Sequence, residues 1–276
     1  MKPVNFAYER PRHLDDAIGL LADQSANTKV LAGGQSLGPM LNLRLVQPDL
    51  IIDITALDQL KHAEKLRDDV VLGACVTHAD IEDGRVPDAT NGAMRAVAAS
   101  IAYRAVRNRG TIGGSLTNAD PSADWVSALS ALGAEAVVRG AAGVRTLAVE
   151  AFVTGALETA LGANELLEAI RVPAQSASAQ WGYYKVCRKT GEYAQAIGAV
   201  LLDRPRDVFR AVIGATARKP LVLVDARALF GGSCDLAQFD QGAADAMLKS
   251  SGMTDALDRQ IHTVALARAV RQAAGA

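Results

Sequence analysis

The sequence predicts an α+β protein in two parts: a mixed α/β part, then a smaller sheet backed by helices. Three observations carry this. Strand-like and helix-like apolar patterns alternate as far as Pro173. The next stretch, PAQSASAQ (Pro173 to Gln180), is small, polar and rich in Ala and Ser, and reads as a linker. Beyond it WGYYKVCR, AQAIGAVLLD and VFRAVIGAT follow one another with short polar connections, as the strands of a meander do.

The elements follow in order. RPRHLDDAIGLLADQ places Leu14, Ala17, Ile18 and Leu21 at helical spacing, with two aspartates near the helix start. TKVLAGG reads as a short strand running into a glycine turn, PDLIIDI as a second strand, and DVVLGACVTHADI as a third that leads into a helix. NGAMRAVAASI is helical, and after a glycine-rich stretch Trp125, Val126, Leu129 and Leu132 mark one face of a helix that Gly133 would stop. AEAVVRG, RTLAVEAF and ELLEAIRVP read as strands. After the meander, PLVLVDARALFG, DQGAADAMLKS and DALDRQIHTVALARAVRQAAG read as helices, the last with Leu257, Ile261, Val264, Ala265 and Ala269 at helical spacing. No internal repeat or low-complexity tract interrupts this order.

Composition narrows the function. Half of the 276 residues are hydrophobic but only 4% are aromatic, so the core must be built from Ala, Val, Leu and Ile. The formal net charge is -1, which builds no electrostatic footprint for nucleic acid or a membrane surface. No apolar run is long enough to span a bilayer, and MKPVNFAYERP has charges and prolines where a signal peptide needs an apolar region. A cytoplasmic protein is expected. Cys75, Cys187 and Cys234 are far apart and form no CxxC, too few for a four-thiolate cluster, and read as buried free thiols. His13, His62, His78 and His262 have no ligand-like neighbours, so no metal site is expected.

Two glycine pairs stand out, in LAGGQSLGPM (Leu31 to Met40) and RNRGTIGGSLTNADPSADW (Arg107 to Trp125). A lone pair after a strand often only makes a tight turn. Here both have polar escorts: Gln35 and Ser36 in the first, Thr111, Ser115, Thr117 and Asn118 in the second. Glycines let backbone N–H groups converge on an anion such as a pyrophosphate. A nearby carboxylate, Asp124 or its rival Asp120, could accept from ribose hydroxyls. The combination suits a dinucleotide, yet there is no GxGxxG at a strand-to-helix turn and no GxxxxGK[ST]. A Rossmann domain or P-loop is therefore not expected; two separate loops would hold the pyrophosphate.

KVLAGGQSLGPMLNLRL and RNRGTIGGSLTNADPSADW resemble the two flavin-binding motifs of the medium, FAD-binding subunit of the molybdenum hydroxylases, the carbon monoxide dehydrogenase and xanthine dehydrogenase family. NELLEAIRVP and YYKVCRKTGEYAQA are similar to further segments of that family, so the resemblance covers essentially the whole chain. It implies a vanillyl-alcohol-oxidase (PCMH)-type FAD-binding domain over residues 1–176, made of two α/β subdomains of about 1–55 and 56–176. A C-terminal domain over 177–276 would carry a three-stranded antiparallel sheet with helices. It also implies that FAD binds here, while molybdopterin and two [2Fe–2S] clusters sit on a large and a small partner subunit in a dimer of heterotrimers. Electrons would pass from molybdenum through the clusters to FAD and on to an external acceptor, with no catalytic residue in this chain.

Carried over by motif, the strand Lys29, Val30 and Leu31 leads into Ala32, Gly33, Gly34, Gln35, Ser36 and Leu37, which would wrap the pyrophosphate from one side. Thr111, Gly113, Gly114, Ser115 and Asn118 would approach from the other. The resemblance further implies that Asp124 takes the adenosine-side hydroxyls and Leu167 packs near the adenine or ribose. Lys185 would sit by the flavin's polar edge, and Tyr193 close to the isoalloxazine ring. Gln35 stands where some relatives carry His; its amide can still donate. The alternative is a self-sufficient FAD oxidoreductase of the same fold, but the last hundred or so residues offer few His, Tyr or paired carboxylates for acid–base work. An interaction module that has lost its flavin is disfavoured by two intact glycine motifs.

Overall fold

A computed structural model of the chain describes residues 2–23 and 25–275. The first layer is a small parallel sheet. Strand β1 (Ala7–Glu9) leads through helix α1 (Leu14–Ala22) to β2 (Thr28–Leu31), and β2 through α2 (Leu37–Asn42) to β3 (Leu50–Asp53). Strand β3 lies between the other two and runs parallel to both. The apolar stripe Leu14, Ala17, Ile18 and Leu21 is buried as its spacing requires, in a cluster with Ile52, Leu57, Leu60 and Leu166.

A second, antiparallel sheet follows. Strands β4 (Ala63–Lys65) and β5 (Asp69–Gly73) precede five helices: α3 (His78–Glu82), α4 (Ala93–Ser100), α5 (Arg104–Arg107), α6 (Ile112–Asn118) and α7 (Asp124–Leu132). Then come β6 (Glu135–Gly140), β7 (Gly143–Ala148), the short α8 (Val149–Phe152), a β8 (Val153–Gly155) and β9 (Glu158–Thr159) hairpin, and β10 (Glu165–Pro173). The order β4-β5-β10-β6-β7 puts the long β10 at the centre. RTLAVEAF thus divides into the end of β7 and α8 rather than making one strand.

The third sheet is antiparallel, β11 (Gln180–Val186), β12 (Ala196–Asp203), β13 (Val208–Gly214) and β14 (Leu221–Leu223), backed by α9 (Gln241–Ser250) and α10 (Ala256–Ala273). It has four strands where three were expected. PLVLVDARALFG, read as a helix, instead begins with β14 on β13 and continues into a 3-10 turn at Arg227–Phe230. Its apolar run is too short to fix a helix, and Pro220 and the β-branched valines favour an extended start.

Helix α7 joins the layers. All nine of its residues are buried, not one face only. Trp125, Val126 and Leu129 pack into the core of the second sheet, and Ala131 packs on Ala199 and Val212 of the third. The stretch expected as a linker is held down. The Ser176 N–H and Oγ donate to the Asp203 carboxylate at 2.9 and 2.6 Å, and Asn91 Nδ2 donates to the Ser176 carbonyl at 2.8 Å. Despite the few aromatics, Trp125, Phe152, Phe209 and Phe230 are among the largest fully buried side chains. Only Cys75 of the three thiols is buried; Cys187 and Cys234 are half-buried.

Candidate functional site

Both glycine-pair segments open onto one cavity of about 660 Å³, of the size that cofactor sites have. Lys29, Val30, Ala32 and the run from Gly33 to Leu37 form one wall. Thr111, Gly113, Gly114, Ser115 and Asn118 form the facing wall. Asp124 and Leu167 line it from the second layer, and Tyr193 reaches it from the third sheet. Of the residues singled out in the sequence, Leu31 and Lys185 do not line it.

The two walls are built differently. In the first, strand β2 ends at Leu31 and α2 begins at Leu37, and the backbone N–H groups of Gly33, Gly34, Gln35 and Ser36 find no acceptor among the described residues. Four consecutive free donors at the mouth of a cavity form an anion nest. Gly34 makes the loop possible with φ +73°. Gly33 serves another end than expected: a Cβ there would lie 2.1 Å from the Arg109 carbonyl oxygen and 2.8 Å from Gly110 Cα. Its bare backbone lets the first loop sit directly on the approach to the second.

The second wall offers side chains instead of backbone. The glycine pair, expected in a loop, lies in the first turn of α6. The Ile112 N–H donates to the Val76 carbonyl at 3.0 Å, Gly113 N–H to the Ala74 carbonyl at 3.0 Å, and Ser115 N–H to the Thr111 carbonyl at 3.0 Å. Thr111 caps the helix, its Oγ1 accepting from the Gly114 N–H at 3.0 Å. These four N–H groups are spent, so this wall is no nest. The hydroxyl of Ser115 and the amide of Asn118 have no partner among the described residues and are left for a ligand.

Asp124, at the start of α7, is 8% exposed. Its carboxylate accepts from Tyr183 Oη at 2.8 Å and Ser100 Oγ at 3.3 Å, and pairs with Lys185 Nζ at 2.9 Å. With four lone-pair positions on a carboxylate, about one is left for a ligand hydroxyl. Lys185 is buried behind Asp124, ties β11 to α7 and also donates to the Ser100 carbonyl at 2.9 Å. Burial and the neighbouring Asp124 push the Tyr183 hydroxyl well above its ordinary range. Asp120, the rival carboxylate, lines the cavity and accepts from the Ser122 N–H at 2.9 Å.

His78 also lines the cavity, as a structural residue. Its Nδ1 accepts from the Trp125 indole at 3.0 Å, and burial, with the Arg107 charge second, pushes its pKa down to about 4. The sequence reading missed the turn Ile101 to Tyr103 and Glu192, which also line the cavity. AASIAYRAVR carries no glycine to advertise a turn, yet Ala102 adopts φ +43° there. Among the described residues no three His, Cys, Asp or Glu side chains gather as metal ligands, and no helix is long and apolar enough to cross a membrane.

Comparison with known proteins gives a consistent answer. The family described as "FAD binding domain in molybdopterin dehydrogenase" matches residues 4–175. Caffeine dehydrogenase subunit beta of Pseudomonas sp. (strain CBB1) is 36% identical over 225 residues, 80% of this chain and 76% of that protein. The nicotine 6-hydroxylase medium subunit of Paenarthrobacter nicotinovorans is 33% identical over 254 residues, 91% of this chain and 88% of that subunit. A solved carbon monoxide dehydrogenase from Hydrogenophaga pseudoflava matches at a TM-score of 0.89 and 32% identity, covering 100% of this chain and 99% of that one.

Proposed function

The chain belongs to the family of FAD-binding domains of molybdopterin dehydrogenases, and from that premise we propose that it is the FAD-binding, electron-transferring subunit of a heterotrimeric molybdenum hydroxylase. It is an oxidoreductase component that takes electrons from [2Fe–2S] clusters on a small partner subunit and passes them to an external acceptor. The molybdopterin and the substrate belong to a large subunit, in a dimer of heterotrimers. Relatives of similar identity are named for caffeine and for nicotine, which accords with a substrate site on the partner.

The observation that carries the reading is the run of four unpartnered backbone donors, Gly33 to Ser36, facing a wall with free Ser115 and Asn118 side chains. A pyrophosphate fits this donor set. Each charge-assisted bond to it is worth about 1.5–3 kcal/mol. Bound FAD would supply the ring system that accepts electrons and hands them on. The chain's own residues do the rest. The nest orients the diphosphate, Ser115 and Asn118 fix it from the other side, and Leu167 offers an apolar face to the adenosine half. Asp124 keeps a lone pair for a hydroxyl, and Tyr193 limits water at the ring end. Lys185 acts by holding Asp124 in place.

Residues 1–176 we read as the vanillyl-alcohol-oxidase (PCMH)-type domain, with subdomains of about 1–55 and 56–176, and 177–276 as the C-terminal domain. Support comes from the three sheets, which divide near these positions and surround one cavity. A cytoplasmic location accords with this role.

The test is cofactor choice. The flavin-free chain is expected to take up one FAD per chain, to bind FMN far more weakly, and to release all its flavin on acid precipitation, since no His or Cys lies within either glycine segment. Binding FMN as tightly as FAD would overturn the pyrophosphate assignment, and flavin retained in the pellet would overturn the non-covalent one.

A further inference from the structure

We infer that Arg107 is a positioning residue that sets the mouth of the cavity and the seat for the segment carrying Tyr193; this rests on the FAD reading above. Helix α4 ends at Ser100, and the last carbonyls of a helix lack intrahelical partners and carry partial negative charge. Here three successive carbonyls are met by two cations. Ser100 O accepts from Lys185 Nζ at 2.9 Å, and Ile101 O and Ala102 O accept from Arg107 Nη1 at 2.9 and 3.0 Å. The rest of the guanidinium is fixed by a two-point pairing with Glu82, Nε to Oε2 at 2.8 Å and Nη2 to Oε1 at 2.9 Å. The Arg107 side chain is only 12% exposed.

What this holds is a strained turn. Ala102 has φ +43°, a conformation alanine adopts at a cost. Its carbonyl is also the surface on which the third sheet's loop rests: a Cβ at Gly191 would lie 2.9 Å from Ala102 O and 3.3 Å from the Tyr103 ring. Ile101 to Tyr103 and Gly191 to Tyr193 both line the cavity. One side chain therefore fixes the 101–103 turn directly and, through the Ala102 carbonyl, the segment at Gly191 that rests on it. Only a fork with donors on separate nitrogens can serve Glu82 and both carbonyls together; a lysine can keep the charge but not the geometry.

The test uses the full chain, free of flavin and then reconstituted, comparing wild type with Arg107→Lys. Arg210→Lys is the control, because Arg210 is buried like Arg107 and likewise serves a carbonyl and a carboxylate, those of Ser130 and Glu150, none of which lines the cavity. In the flavin-free chain, exchange of the hydrogen-bonded amides of Ile101 and Glu192 is expected to quicken by about tenfold in Arg107→Lys only, the equivalent of one charge-assisted hydrogen bond. FAD should bind about tenfold more weakly by the same measure. A merely structural ion pair would loosen residues near 82 and 107 and leave the Glu192 amide unchanged, and that result overturns the inference. So does unchanged FAD affinity. If Arg107→Lys fails to fold, Glu82→Gln, which removes the charge and one acceptor of the two-point pairing that fixes the guanidinium, must weaken FAD binding or the inference falls. Failure of the wild-type chain to bind FAD would instead overturn the functional reading itself.

Discussion

The imidazole of His78 is 5% exposed, packed beneath the cavity wall with Trp125 donating to it. It titrates near 6.5 when free and about 4 in the fold, held down first by burial and then by Arg107. Between those values the unfolded chain binds a proton the folded chain refuses, so stability rises with pH. The contribution is fully present above about pH 6.5 and is lost as pH falls toward about 4, a difference of about 3 kcal/mol. Urea unfolding at pH 7 and pH 4.5 should show wild type losing about 2–3 kcal/mol more than His78→Gln, whose amide oxygen can still accept from the indole. Equal losses in the two proteins would remove His78 from the acid response. His78, which has no ligand-spaced neighbour in the sequence, lines the cavity hydrogen-bonded to Trp125. Both glycine pairs line one cavity, as two loops holding one ligand would, but how each serves was not legible. Gly33 is bare because Arg109 and Gly110 lie against it, a contact between segments that no local pattern encodes. The N–H groups of Gly113 and Gly114 are taken by Ala74 and Thr111, so of the two loops only the first is a nest.

At the level of elements, periodicity found most strands and helices and failed where tertiary contact chooses the face. Leu257 sits on the expected stripe of α10 yet is 63% exposed, while His262, Leu266, Val270 and Ala273 are buried. The cause lies in the strands beneath. A Cβ at Gly198 in β12 would fall 2.5 Å from the Ala265 carbonyl oxygen and the Leu266 backbone, and one at Gly182 in β11 would fall 1.8 Å from the Ala269 carbonyl oxygen. Backbone meets backbone there, which fixes the rotation of α10 about its axis and turns residues near 265 and 269 inward. Gly198→Ala must push the helix off the sheet. It should cost about 2–3 kcal/mol in urea unfolding, as overpacking of a filled core does. FAD affinity under native conditions should stay as in wild type, because α10 contributes no cavity residue. Undiminished stability would mean that helix and strand part without cost; lost FAD binding would mean that the helix registers the cavity from behind.

For the whole molecule, three sheets surround one cavity, and each contributes to its lining: Val30 from the first, Leu167 from the second, and Tyr193 from the loop between two strands of the third. The second sheet ends at Pro173, where the composition changes, but the closeness of the third sheet to it was not legible, since the Lys185 to Asp124 pair and α7 packing join residues far apart in sequence. On the reading proposed above, the ring end of FAD would lie near Tyr103 and Tyr193, which are 57% and 66% exposed. On that reading electrons would arrive from and leave to other molecules. The chain brings no cluster of His, Cys, Asp or Glu ligands among its described residues. Hydroxylating a carbon with oxygen from water calls for a metal centre of the kind assigned above to the large subunit. The FAD-loaded chain alone should therefore bleach with dithionite and stay yellow with aldehydes, purines, other N-heterocycles or carbon monoxide. Adding the cluster-bearing and molybdenum-bearing subunits should make bleaching depend on one of these substrates, followed as loss of flavin absorbance under anaerobic conditions. Bleaching of the lone chain by any such substrate would overturn the subunit reading and make it a self-sufficient oxidoreductase, with Asp120, Glu192 and Tyr193 at the mouth as the first groups to mutate.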